Sequence, residues 1–88
     1  MLSQQKQRLS VLDSKTMEVR LFATLREGRD KVVHINWSEG MDGHKLLLEL
    51  AIGPEEVAIF MINGRHSSPE AALNENDIIA LFPPIGGG

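Results

Sequence analysis

The chain contains no cysteine. Disulfides, zinc–thiolate centres and a cysteine nucleophile are therefore excluded. No apolar run approaches the roughly 20 residues of a membrane-spanning helix, and the N-terminus has no signal-peptide core. Lysine and arginine are not clustered, and the formal net charge is −3. That balance argues against binding a phosphate backbone. His34, His44 and His66 stand at no metal-ligand spacing from one another, so they read as surface histidines rather than as a zinc set. No Ser/His/Asp order suggests a hydrolase, since Ser38, Ser67 and Ser68 fall in turns. Gly40 and Gly43 do not form a phosphate-cradling loop. The carboxylates lie mostly in loops, where solvation is their ordinary state. A self-contained enzyme would need residues to line a pocket, and none stand out. The expectation is a soluble cytoplasmic protein with no bound cofactor, no metal, and neither nucleic acid nor membrane as a partner.

What is present is one small domain of 88 residues, 42% hydrophobic, enough for a single modest core. Residues 1–16 are polar and weakly patterned, with Leu9, Val11 and Leu12 as their later apolar residues. They read as a disordered N-terminal extension. From Met17 the period is two. Met17, Val19, Leu21 and Ala23 share one face, and Glu18, Arg20, Phe22 and Thr24 the other, as in a half-buried strand. Leu25 to Asp30 turns the chain, with Gly28 at the left-handed position. Lys31 to Trp37 alternates again and completes an antiparallel hairpin.

Asp42 is placed to cap a helix of about ten residues. Leu46, Leu47, Leu50 and Ala51 form its apolar stripe, and Gly53-Pro54 ends it. Val57 to Ile62 is the most continuous apolar run and is expected to be the central strand. Asn63-Gly64 predicts a type I′ hairpin turn, with Arg65 to Ser67 as a short return strand. Ile78 to Phe82 is the last strand. Strand, strand, helix, strand, short strand, strand describes an α+β domain: a mixed sheet of four to five strands with one helix on one face.

The domain, residues 17–82, delivers a tail at 83–88: Pro83-Pro84-Ile85-Gly86-Gly87-Gly88. Two prolines fix φ, remove two backbone donors and force an extended exit. Glycines without Cβ make a thin, flexible tip that fits a channel too narrow for side chains. A frayed glycine-rich end is the plainer reading. With no other reactive group in view, the carboxylate of Gly88 is the candidate reactive centre. A carboxylate is a poor acyl donor. Attack on the α-phosphate of ATP would make it an acyl-adenylate, from which sulfur or an amine displaces AMP. Either reaction needs a partner to supply the nucleotide site.

The ending Leu81-Phe82-Pro83-Pro84-Ile85-Gly86-Gly87-Gly88 resembles that of the MoaD/ThiS family of ubiquitin-like sulfur carriers: Phe-Pro-Pro, an aliphatic residue, a variable residue, then Gly-Gly. In this register Gly86 is the variable position. The opening Val19-Arg20-Leu21-Phe22-Ala23-Thr24-Leu25-Arg26-Glu27 is similar to the family's first strand and turn, and Asn63-Gly64 and Leu73 to Ile78 stand where the family has its hairpin and its last turn. The resemblance spans Met17 to Gly88 and is nearest to MoaD, the small subunit of molybdopterin synthase.

The resemblance implies a β-grasp fold. It implies that a MoeB/ThiF-like adenylating enzyme uses ATP to activate Gly88, which becomes a thiocarboxylate. It also implies a MoaE-like large subunit whose channel takes Gly87, Gly86, Ile85, Pro84 and Pro83, with sulfur passing to the pterin of the molybdenum or tungsten cofactor. Phe82, Phe60 and Phe22 are the candidates for docking the partner. A carrier for thiazole or amino-acid synthesis, a ubiquitin-like protein modifier and an interaction domain with an inert tail are the alternatives.

Overall fold

The computed structural model describes residues 15–84. The described residues form five strands and one α-helix: β1 (Thr16–Leu21), β2 (Val32–Asn36), α1 (Gly43–Leu50), β3 (Ile59–Ile62), β4 (Arg65–Ser67) and β5 (Ile78–Phe82), with 3₁₀ turns at Ala23–Arg26 and Pro54–Glu56. The sheet order is β2-β1-β5-β3-β4. β1 and β5 run parallel, and every other pair is antiparallel. This mixed five-stranded sheet with one helix is the ubiquitin-like β-grasp arrangement.

Period-two patterning accounts for the sheet's two faces. Met17, Val19 and Leu21 of β1, Ile79 and Leu81 of β5 and Phe60 of β3 point inward and are buried with Leu46 and Leu47 of α1. Val33, Ile35 and Trp37 pack partly against this core, while Val32, His34 and Asn36 are exposed. The Trp37 indole N–H donates to the Leu73 carbonyl at 2.6 Å and ties the end of β2 to the chain before β5.

Four local expectations are corrected. β1 starts at Thr16 and stops at Leu21, because Ala23 adopts φ +54° and opens a 3₁₀ turn. That turn buries Leu25 in place of Ala23, and Arg26 Nε clamps it to the Leu21 carbonyl at 2.8 Å. Second, α1 ends one turn before Gly53-Pro54. Its left-handed cap is Ala51 (φ +58°), and the Arg29 guanidinium donates to the free carbonyls of Leu50 and Ala51. Third, the run from Val57 becomes a strand only at Ile59, and the middle of the sheet is β5 rather than β3. Fourth, Phe60, a docking candidate, is 4% exposed in the core. It lies on the helix side of β3, in register with buried Leu81.

Other expectations are met. The Asp42 carboxylate accepts from the Lys45 backbone N–H at 3.0 Å and caps α1. Gly28 has φ +71°. Asn63 (φ +51°) and Gly64 (φ +81°) form the turn with positive φ at both positions. Gly43 meets a different demand, close approach. A Cβ there would stand 2.6 Å from Pro69 Cα and 2.8 Å from the Phe60 ring, so the first turn of α1 rests directly on the Pro69 backbone, whose carbonyl accepts from the His44 N–H at 3.1 Å.

Candidate functional site

The site begins where the middle strand ends. Phe22 N–H donates to the Leu81 carbonyl at 3.2 Å, and Ala58 N–H donates to the Phe82 carbonyl at 2.8 Å. Hydrogen bonds from both flanking segments thus hold β5 up to its last residue. Pro83 is buried and Pro84 exposed, so the chain surfaces between them. Proline donates no N–H, so beyond Phe82 the strand offers its neighbours no backbone donor at Pro83 or Pro84. Ile85, Gly86, Gly87 and Gly88 lie outside the described residues, as do residues 1–14.

The sheet face opposite α1 carries the second part of the site. In-register neighbours across the strands place Ile59 beside Phe82, Met61 beside Ala80, and Ile78 beside Glu18. Phe22 and Phe82 stack, with ring centroids 4.3 Å apart and planes 12° from parallel. The Arg26 guanidinium carbon sits 5.6 Å from the Phe22 ring centre, within the range of a cation–π contact. An arginine–phenylalanine–phenylalanine ladder therefore leads to the root of the tail. Of the three predicted docking aromatics, the structure brings Phe22 and Phe82 together and removes Phe60 to the core.

The ladder and the apolar row beside it were only partly visible in the sequence. Alternation puts Phe22 on the face opposite Val19 and Leu21. It cannot reveal Phe82 as the neighbour, because the β1–β5 pairing joins residues some sixty positions apart. Arg26, Ile59 and Met61 carried no signal of their own. The rim is polar: His34 of β2 faces Glu18 of β1, and His66 of β4 faces Met61 of β3. Glu18 and Arg20 form an ion pair.

The loop before β5 is fixed by one buried carboxylate. Asp77 accepts from the Asn74 N–H at 2.8 Å and the Asn63 side-chain amide at 2.9 Å, while the Asn63 side-chain oxygen accepts from the Ile78 N–H at 2.9 Å. The Asn63-Gly64 turn is thereby bolted to the start of the strand that delivers the tail. Among the described residues every buried side-chain polar atom has a partner, and no His, Asp and Glu side chains converge as a metal set. No described helix is long and apolar enough to cross a membrane. In the first turn of α1 His44 contacts Glu70 at 3.3 Å. Glu70 is held below its ordinary carboxyl value by the Ser68 side chain first, then by its own backbone N–H and His44.

A central strand running out into a Pro-Pro-Ile-Gly-Gly-Gly ending, beside an apolar sheet face, defines the class: a ubiquitin-like β-grasp protein. The ThiS family model matches residues 19–88. The chain belongs to the ThiS family, a ubiquitin-like family of sulfur carriers and modifiers. Among solved structures it is similar to a putative molybdopterin converting factor subunit 1 from Pyrococcus furiosus, at 25% identity and TM-score 0.66, covering 82% of this chain and 100% of that one. It is similar to SAMP1 from Haloferax volcanii, at 26% identity and TM-score 0.64, covering 83% and 99%. The Haloferax volcanii HVO 2177 protein matches at 27% identity and TM-score 0.61, covering 85% and 88%. No curated protein gives a significant match.

Proposed function

We propose that the protein is a sulfur carrier acting in molybdopterin synthesis, with the Gly88 carboxylate as its reactive group. The observation that carries this reading is the exit at Phe82-Pro83-Pro84: a tail rooted in the middle strand, beside the Phe22–Phe82 stack. A carboxylate oxygen of Gly88 attacks the α-phosphate of ATP, and pyrophosphate leaves. Hydrosulfide then attacks the acyl carbon of the acyl-adenylate, the C–O bond to AMP breaks, AMP leaves, and loss of the S–H proton gives a thiocarboxylate. A MoeB/ThiF-like adenylating enzyme supplies the nucleotide site. A MoaE-like large subunit receives Ile85 to Gly88 in its channel, with Pro83 and Pro84 aiming them. Phe22 and Phe82, with Ile59 and Met61 around them, dock these partners. The named likeness to a molybdopterin converting factor subunit supports the pathway.

A second reading, a protein modifier, draws on the likeness to a structure described as a small archaeal modifier protein, which has a TM-score of 0.68. In that case an amine of a target protein, rather than sulfur, displaces AMP. Deleting Gly88, or appending one residue after it, separates the tail reading from an inert end. Both variants are expected to melt as the parent does and to lose all sulfur transfer. Full transfer by either variant would contradict the role of Gly88. Isopeptide conjugates ending in Gly88 on lysines of other proteins would favour the modifier.

A further inference from the structure

A shallow groove of about 400 Å³ lies between the end of β2 and α1, far from the tail root and outside the function proposed above. It is lined by Trp37, Met41 and Leu48, with Asn36, Ser38, Lys45 and Glu49 around them. Leu48 is 79% exposed, the most exposed of the large hydrophobic residues described, and it faces away from the core that Leu46 and Leu47 enter. We propose that this groove is the docking site of the chain's own segment Leu9 to Ser14.

Three observations point to that occupant. The segment joins the domain at the groove wall: the Lys15 carbonyl accepts from the Trp37 N–H at 2.7 Å, and the Lys15 ammonium lies 5.6 Å from the Trp37 ring centre. Leu12, Val11 and Leu9 stand three, four and six residues before Lys15, a reach of roughly 10–20 Å in extended chain. The rim carries one charge of each sign, Lys45 and Glu49, and the segment carries Asp13 with Arg8 just upstream. A second copy of the chain fits the groove poorly. Seven lining residues are few against the roughly 20–30 a side of a stable interface.

The absence of cysteine makes the test clean. Ser10→Cys in the full chain takes a single nitroxide label, and the amide signals of the groove report its distance. Signals of Trp37, Lys45, Leu48 and Glu49 are expected to be largely lost, while those of β4 on the opposite edge persist. Adding Leu48→Gln restores the groove signals without altering the fold, since that side chain is already exposed. Trp37, the single tryptophan, shifts its emission to the red in the Leu48→Gln chain and in a chain starting at Lys15. Groove signals as strong as those of β4 overturn the proposal. So does signal loss in isotope-labelled chains that carry no nitroxide and are mixed with labelled ones, which would make a second copy the occupant.

Discussion

Gly43 shows how one missing methyl group positions an element. Its Cα faces the Pro69 backbone and the Phe60 ring at distances no Cβ tolerates. Pro69 is backbone, not a flexible side-chain end, so the first turn of α1 would have to move. Gly43→Ala is expected to lower stability by roughly 1–3 kcal/mol, the usual cost of overpacking, read in a denaturant titration. Asn63 works through hydrogen bonds. Asn63→Ala removes one partner from the buried Asp77 carboxylate and one from the Ile78 N–H. Leaving such groups short of partners costs roughly 1–3 kcal/mol. A melting temperature equal to the parent's would show that the bolt between turn and strand is inert. Glu70 sets a pH limb. Its carboxyl value is depressed in the folded state, so it contributes stability above the ordinary value of 4.5 that is lost as pH falls through the lower folded value. Glu70→Gln should therefore melt with less pH dependence below 4.5, whereas an unchanged acid limb would contradict the assignment.

At the scale of elements, local chemistry was legible where it was self-sufficient. Asp42 marked the start of α1 and Asn63-Gly64 the hairpin, because each cap or turn is made by adjacent residues. The end of α1 was not legible. Gly53 looked like the cap, but Arg29, twenty-two positions earlier than Ala51, supplies the carbonyl partners, and Ala51 takes the left-handed conformation. The Cβ contact of a left-handed alanine costs roughly 1–2 kcal/mol, and glycine's extra freedom in the unfolded chain takes back roughly 0.4–1 kcal/mol. Ala51→Gly is thus expected to stabilise the protein by about 0.5–1 kcal/mol, read as a rise in the unfolding midpoint. Phe60 was illegible for another reason. Val57 to Ile62 is apolar at every position, so alternation assigns no face, and only the pairing with β5 decides it. The same non-local pairing hid β5 as the middle strand.

For the whole molecule, the proposed function asks the fold to present a poor acyl donor to an activating partner. The middle strand anchors the tail through carbonyls held by Phe22 and Ala58, and the aromatic stack flanks its root. The tail motif rests on residue order alone, and its last four residues lie outside the described ones; the structure adds only its root, buried Pro83 and exposed Pro84. The apolar face beside that root was not legible, since it assembles from β1, β3 and β5. Phe22→Ala is expected to slow activation by the adenylating enzyme roughly 10–30-fold, as loss of an interface anchor does, with the tail sequence untouched. Activation at the parental rate would remove Phe22 from the interface. The most direct test incubates the protein with a MoeB/ThiF-like enzyme, ATP and a sulfur donor and weighs it intact. The account predicts an oxygen-to-sulfur mass gain that localises to the peptide ending in Gly88. A mass unchanged while the same enzyme loads another carrier of the family would contradict it.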